Sequence, residues 1–377
     1  MKKLTDYVDR SNSVITGNAM EVIHTLKDFP VFFGCVDSPI ENDLVADMTW
    51  GIDPKSGAIQ LTRLVPLEIL YQEQHVDGTG PTWEKYYDDF ADYVVKNGAK
   101  KVLEIGGGSG QLAYRSTQID DNIRWTVVEP NPRINETEQI RVIPGFFEST
   151  LEINDEIDTV VFSQVMEHAY DPKGFVSHIA TFLPIGGRVI FAYPQIKSWI
   201  DRKFTNALNF EHTILIDDFV EYIFSEQGLK IENKDIYRDH SIFYVAVKDG
   251  NKVATNSFPN KYEEYKALYS SFVSYHESLV RELNEKIENS KEPVYLFGAH
   301  IFATYLFGCG LTKKISGILD NSMLKQGRRL YGTNFIVSSP KILKGLGRVN
   351  LILKAGVYNE EIKKDITENI NSQVVFW

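Results

Sequence analysis

Cysteine is nearly absent: Cys35 and Cys309 are the two in 377 residues, and they lie far apart in the chain. A disulfide framework needs pairs, and a structural zinc site needs four clustered ligands, so neither is supported and no metal is expected. Long apolar runs are missing too. None approaches the roughly 20 residues that cross a membrane, and residues 1–6 lack the apolar core of a secretory signal. A cytoplasmic protein with no membrane partner is the expectation. Basic excess is also lacking. Forty Lys and Arg stand against 51 Asp and Glu, a net charge of −11. That balance argues against nucleic acid or an anionic membrane held on a basic surface. A small anionic ligand in a local basic pocket stays compatible with it. No internal repeat or low-complexity tract is present.

At this length one core is too few, and two or three domains are expected. Residues 1–65 are short and irregular, with apolar runs such as 29–33 and turn signals at Asp53-Pro54 and Ser56-Gly57; they read as a small β-rich module. Residues 66–250 alternate. A short helix and a loop occupy 66–80, and an amphipathic helix spans 82–97, its apolar face Trp83, Tyr86, Tyr87, Phe90, Tyr93 and Val94. Strands are predicted at 102–105, 125–129, 140–143, 158–162 and 188–193, and helices at 109–117, 171–183 and 216–227. Two closing runs follow at 229–236 and 241–248. Alternating βα units imply a mostly parallel sheet. Residues 251–291 are a linker built on a long helix over 258–289. Its stripe Tyr262, Tyr265, Leu268, Phe272, Tyr275, Leu279, Leu283 and Ile287 steps by three or four and reads as core packing. Residues 292–377 form a smaller second βαβ domain. Its strand-to-glycine turn at Pro293-Val-Tyr-Leu-Phe-Gly298 has too few glycines for a dinucleotide loop.

The richest stretch is Lys101-Val-Leu-Glu-Ile-Gly-Gly-Gly-Ser-Gly-Gln111. A buried strand runs into a glycine turn and then a helix, the nucleotide-binding opening of a doubly wound α/β fold. Glycine lets the turn close and lets a ligand lie on bare backbone. Gly106-x-Gly108-x-Gly110 fits a loop for S-adenosylmethionine (SAM). Gly108-x-Gly110-x-x-Ala113 fits a loose dinucleotide fingerprint and keeps an NAD-linked oxidoreductase open. Charge favours SAM. Glu104, at the strand end, would repel a pyrophosphate but not an ammonium or sulfonium. Glu129 closes the next strand, where a carboxylate can take both ribose hydroxyls. Phe146 and Phe147, in Gly145-Phe-Phe-Glu148, are candidates to flank an adenine by stacking. Ser163 and Gln164 end the fourth strand, where ligands bind in such sheets.

For the chemistry itself, Asn209-Phe-Glu-His-Thr213 places adjacent Glu211 and His212 on a loop above the strand ends, the best acid/base pair in the chain. Tyr71 and His75, on the entry loop, are placed to cover the cofactor and reach an acceptor. Glu167 and His168 could look catalytic, but Met-Glu-His-Ala-Tyr-Asp-Pro172 resembles what many class I SAM methyltransferases carry at this point, and that resemblance implies a segment that mainly shapes the loop and the following helix. His24, His178, His240, His276 and His300 read as structural.

Together these residues resemble the three-domain sugar C-methyltransferases that act on nucleotide-linked deoxysugars. The resemblance covers roughly residues 66–377. Gly106 to Gly110 is similar to the SAM loop of the whole superfamily, and Asn209-Phe-Glu-His212 to this family's catalytic loop, where the Glu-His pair serves acid/base chemistry. Ser241 falls where the family has a serine near a closing strand. Asp320-Asn-Ser-Met-Leu-Lys-Gln-Gly327, Tyr331-Gly-Thr333 and Ser339-Pro340 resemble the C-terminal domain's signature, and Tyr358-Asn-Glu-Glu-Ile362 its last helix start. The resemblance implies a Rossmann-like SAM methyltransferase core, a small N-terminal module, a smaller C-terminal Rossmann-like domain, SAM as cofactor and a sugar or sugar-nucleotide acceptor. Two features depart from it. The N-terminal module has no Cys pairs to hold the family's zinc, and the family's Tyr-x-x-x-Tyr entry loop reads Tyr71-Gln-Glu-Gln-His75. The carbon or oxygen nature of the acceptor atom stays open. So does a non-catalytic scaffold that keeps the fold.

Overall fold

In a computed structural model of the chain, residues 1–71, 81–148, 150–205, 208–215, 217–249 and 258–377 are described. His75 lies outside them.

The predicted alternation of apolar runs and amphipathic helices builds a seven-stranded sheet. Its order is Ile140–Pro144, Arg124–Glu129, Lys101–Ile105, Thr159–Ser163, Arg188–Pro194, Ser241–Lys248 and Leu229–Tyr237. The first five strands are parallel, and Ser241–Lys248 runs antiparallel to both its neighbours, Arg188–Pro194 and Leu229–Tyr237. Val160, Val161 and Phe162 are all buried, as a strand covered on both faces requires; hence an unbroken apolar run rather than alternation. The helix Pro81–Lys96 packs Tyr86, Phe90 and Val94 on one face, with Gln111–Ile119 contributing Leu112 and Ala113. The other face is covered by Pro172–Phe182, whose start is fixed by its sequence. Asp171 accepts a hydrogen bond from the Gly174 amide at 3.0 Å, and Pro172 sits in the first turn. A short helix Ile196–Asp201, not expected from the sequence, follows the fifth strand.

Residues 1–65 contribute a second sheet. Leu44–Ile52 lies at its middle, pairing with Glu21–Pro30, Lys2–Lys3 and Ile59–Leu61. Its last strand is Ile214–Leu215, which arrives from far down the chain and pairs antiparallel with Ile59–Leu61. A third, wholly parallel sheet comes from the C-terminal part, in the order Val337–Ser338, Gly317–Leu319, Val294–Phe297, Val349–Leu353 and Val374–Phe376. Cys35–Val36 pairs antiparallel with Arg329–Leu330. Beside that ribbon Arg329 forks onto both oxygens of buried Asp43 at 2.6 Å.

The helix Tyr262–Asn289 joins two cores. Tyr265, Tyr269 and Phe272 pack with the first and central sheets, and Val280, Leu283 and Ile287 pack under the C-terminal sheet. Its buried residues recur at steps of three and four, the helical repeat. Among the described residues no helix is long and apolar enough to cross a membrane.

Candidate active site

The strand Lys101–Ile105 delivers the chain to the carboxyl edge of the central sheet, where the glycines take over. Gly106, Gly108 and Gly110 have φ of 74°, 53° and 78°, a region that side chains with Cβ rarely occupy. Close approach matters as much as torsion. A Cβ on Gly107 would lie 2.4 Å from Val127 Cγ1, and one on Gly106 would lie 2.8 Å from Val165 Cγ2. The turn is pinned by Gly106 N–H donating to Val128 O at 2.9 Å and Gly110 N–H to Gly107 O at 2.8 Å.

Above this turn lies a cavity of about 570 Å³, a size suited to a small-molecule ligand. Its walls include Tyr71, Glu104, Gly106, Gly108, Glu129, Phe146, Phe147, Ser163, Gln164 and Glu211. Of the described candidates, only Gly110 and His212 are not wall residues. Gly110 caps the helix that follows the turn; His212 stands behind the wall, its ring 5.0 Å from that of the wall residue His168. Trp83, Tyr87, Tyr170 and His178 also line the cavity and were not expected from the sequence. Their helical or loop setting carried no signal that set them apart from packing residues.

Glu104 is buried and accepts a hydrogen bond from the Trp125 indole N–H at 2.7 Å. Glu129 accepts from the amides of Gly108 and Asn131, both at 3.0 Å. It therefore braces the glycine loop, with lone pairs left over for a hydroxyl ligand. The two phenylalanines separate. Phe147 packs among Phe175, His178 and Phe182. Phe146 is exposed on the wall, its ring T-shaped to that of Tyr71 at 5.8 Å between ring centres. Ser163 and Gln164 join a side-chain chain: Tyr86 hydroxyl to Ser163 Oγ at 2.6 Å, Gln164 Nε2 to Ser241 Oγ at 2.8 Å, and Ser241 Oγ to His240 Nδ1 at 2.6 Å. Gln164 holds φ of 56° without being glycine, the kind of local strain that collects at functional sites. Burial pushes the Tyr86 phenol up to about 12 and the His240 imidazole down to about 4, so both are neutral at pH 7.

The 208–213 loop is shaped by its own sequence. Asn209 Oδ1 accepts the amides of Glu211 and His212, both at 2.8 Å, a side-chain turn that only Asn or Asp forms readily. The loop is then clamped to the Met166–His168 turn: His168 Nδ1 donates to Glu211 O at 2.9 Å, and Thr213 N–H donates to Glu167 O at 2.9 Å. Arg10, buried at 8% exposure, completes the clamp. Its guanidinium donates to Leu61 O at 3.1 Å, to Tyr170 O at 3.3 Å, to Thr213 Oγ1 at 3.2 Å and to Thr213 O. Nothing in the sequence near Arg10 signalled this, because its partners are 51 to 203 positions away. Burial raises Tyr71 and Tyr170 well above the ordinary phenol range, with nearby Glu211 acting in the same direction.

These features fit SAM. A bare-backbone cradle, the carboxyl groups of Glu129 and Glu104 and the exposed Phe146 ring lie on one cavity, a set of groups that could hold its ribose, its cationic end and its adenine. Residues 80–234 match the family described as "Methyltransferase domain". No curated protein matches. Distant likenesses exist among solved structures. The N-methyltransferase NodS of Bradyrhizobium japonicum, solved with S-adenosyl-L-homocysteine (SAH), aligns at 15% identity and TM-score 0.37 over 48% of this chain and 97% of that one. Magnesium protoporphyrin IX methyltransferase of Synechocystis, solved with SAM, aligns at 15% identity and TM-score 0.35 over 47% and 89%. An O-methyltransferase family protein of Burkholderia thailandensis aligns at 9% and 0.36 over 45% of this chain but only 57% of that protein's length. Residues 80–234 are a methyltransferase domain, and the chemistry built into them is methyl transfer from S-adenosylmethionine.

Proposed function

We propose that this protein methylates a carbon or hydroxyl of a sugar, carried on a nucleotide, within three modules: 1–65, 66–250 with its linker helix in 251–291, and 292–377. The single observation that carries the reading is that Glu211, from the 208–213 loop, shares one cavity wall with the glycine turn. A donor on the turn and an acceptor beside the loop would then meet across a few ångströms, and such positioning supplies much of the acceleration. When bound, SAM supplies an electrophilic methyl on a sulfonium. Glu129, Gly108 and Phe146 would hold its adenosine, and Glu104 would face its cationic end. Glu211 or His212 takes the proton that the acceptor gives up, from a hydroxyl or from a carbon beside a carbonyl. Tyr71, kept neutral by burial, can donate a hydrogen bond to acceptor oxygen. His75, outside the described residues, is proposed as an acceptor contact from the same entry loop.

The test is a panel of nucleotide-linked keto- and hydroxy-sugars incubated with SAM, with product mass read for a gain of one methylene. Methylation of a panel member, lost in Glu211→Gln or His212→Ala with SAH binding retained, supports the reading. Turnover of a non-sugar acceptor alone would replace it.

A further inference from the structure

At the cavity wall and behind it, three side chains converge whose chemistry exceeds what the fold uses. Glu167, His168 and His212 each bring one potential ligand atom within 4.8 Å of the others. Glu167 is 1% exposed, and neither of its carboxylate oxygens has a hydrogen-bond partner among the described residues. Such a group is costly to keep unless something cationic answers it. His168 Nε2 is 3.8 Å from Glu167 Oε1, too far for a hydrogen bond between them. The other ring nitrogen fixes the tautomer. Nδ1 faces the Glu211 carbonyl at 2.9 Å, which can only accept, so Nδ1 carries a proton and Nε2 is the ring atom that would ligate. An imidazole oriented through one nitrogen by a backbone carbonyl, with the other turned toward a carboxylate, is the arrangement that metal-bound histidines show.

We infer that Glu167, His168 and His212 bind one divalent transition-metal ion at the acceptor side of the cavity. Two imidazole nitrogens and one carboxylate oxygen select an ion such as Zn²⁺ or Co²⁺ over Mg²⁺ or Ca²⁺, which prefer oxygen throughout. Ligand bonds of about 2.0–2.1 Å would set the donor atoms about 3.4 Å apart. The Glu167–His168 pair already stands at 3.8 Å, so closing on an ion takes a small side-chain adjustment. The low sequence signal is explained by separation: two ligands come from the turn Met166–His168 and the third from the loop that Asn209 folds and Thr213 pins to that turn. Three protein ligands leave a position for a further donor, the pattern of catalytic rather than structural sites. His168 is on the cavity wall, which puts that position within reach of an acceptor oxygen. With His212 committed to the ion, Glu211 is left as the base. This last assignment rests on the acceptor reading proposed above; the binding of the ion does not.

The experiment uses the full chain, stripped with a chelator, dialysed, and titrated with Zn²⁺ and separately with Co²⁺ in a calorimeter. The expected result is one ion per chain. Glu167→Gln, His168→Ala and His212→Ala should each weaken binding by at least about 10–100-fold, the range that even outer-sphere partners of a metal site reach. The visible absorption of bound Co²⁺ should be lost with them, whereas a Cys35→Ser, Cys309→Ser chain should bind as the wild type does. The thermal shift given by SAH shows that each variant is folded. If buried Glu167→Gln fails that check, the two histidine variants and the wild-type stoichiometry decide. No stoichiometric binding, or unchanged affinity in the folded variants, overturns the inference and leaves methyl transfer untouched. Conversely, an ion bound with no sugar turned over overturns the acceptor reading alone.

Discussion

Replacing Arg10 with Met should loosen the acceptor loop from a distance. The guanidinium makes four hydrogen bonds, three of them to backbone carbonyls of Leu61, Tyr170 and Thr213. Hydrogen bonds from a charged donor contribute about 1.5–3 kcal/mol each, so the gross loss is about 8 kcal/mol. Against that stands the cost of burying the charge. Burial lowers Arg10 from 12.5 to about 9, a penalty of about 5 kcal/mol at 1.36 kcal/mol per pH unit. The carbonyls win, and a net loss of about 3 kcal/mol is expected, with Met filling most of the volume so that no large cavity confuses the result. Arg10→Lys should recover less than half, since an ammonium cannot span three elements with a fixed fork. The assay is urea unfolding at pH 7 followed by amide exchange, read at Thr213 and Leu61, whose N–H groups are paired across the clamp. Exchange there should quicken in Arg10→Met while the strands Lys101–Ile105 and Thr159–Ser163 stay protected. A loss below 1 kcal/mol with unchanged exchange at Thr213 would refute the reasoning, and it would mean that the desolvation cost balances the hydrogen bonds.

Gly107→Ala should abolish the thermal shift given by SAH, because its Cβ would meet Val127 at 2.4 Å and lift the glycine turn; at about 100 times the dissociation constant the wild type should gain about 2.7 kcal/mol, and a retained shift would show that the turn is not the cofactor seat. Glu129→Ala should weaken SAH chiefly, since it removes both the proposed ribose partner and the brace on Gly108; calorimetry showing wild-type affinity would move the adenosine elsewhere. Glu211→Gln should cut turnover by about 10²–10⁴-fold, the usual range for acid–base help, with SAH affinity unchanged; near-normal turnover on an active acceptor would leave the loop a structural role. His276, 3% exposed and bonded through Nδ1 to Phe272 O, is held down to about 4 by burial. The unfolded chain takes up this proton near pH 6.5 and the folded chain does not, so this group's share of stability, about 3 kcal/mol, is complete above pH 6.5 and drains away between pH 6.5 and 4. His276→Leu should flatten that part of the acid unfolding curve relative to the wild type, and parallel curves would argue against it.

Much of the central sheet was legible because its physics is local. Buried parallel strands need largely apolar runs: Val160–Phe162 is continuous, and Val102–Ile105 is broken only by Glu104. The helix expected over 171–183 runs from Pro172 to Phe182, its start set locally by Asp171 and Pro172. The glycine turn was legible for the same reason: a tight turn under a ligand leaves glycines side by side. Predicted helix edges moved where caps compete; the turn extends to Gly110, so the helix expected from residue 109 begins at Gln111. The helix expected over 216–227 opens as a tighter turn at Asp217–Phe219 before Val220–Glu226. What sequence could not reveal was assembled across distance. Arg10 reads as one surface cation among many until Tyr170 and Thr213 fold onto it. The expectation of no metal followed from two isolated cysteines; the grouping of Glu167 and His168 with His212, on which the proposed ion site rests, is assembled by folding, and residues so far apart leave no spacing to read.

The pairing of Ile214–Leu215 with Ile59–Leu61, and of Cys35–Val36 with Arg329–Leu330, has a consequence for how the protein is made. Domains generally fold as units as they emerge during synthesis, the first-made part first. Here the sheet of the first-made part, residues 1–65, is completed only by later segments. Its sheet waits for a strand that emerges after five strands of the central sheet, and its ribbon waits for a partner translated near the end of the chain. Until then the edge of Ile59–Leu61 stands open as a template for another chain. Expression of residues 1–65 alone should therefore give aggregates rather than a small folded module, and chain yield should depend on how quickly the later segments arrive.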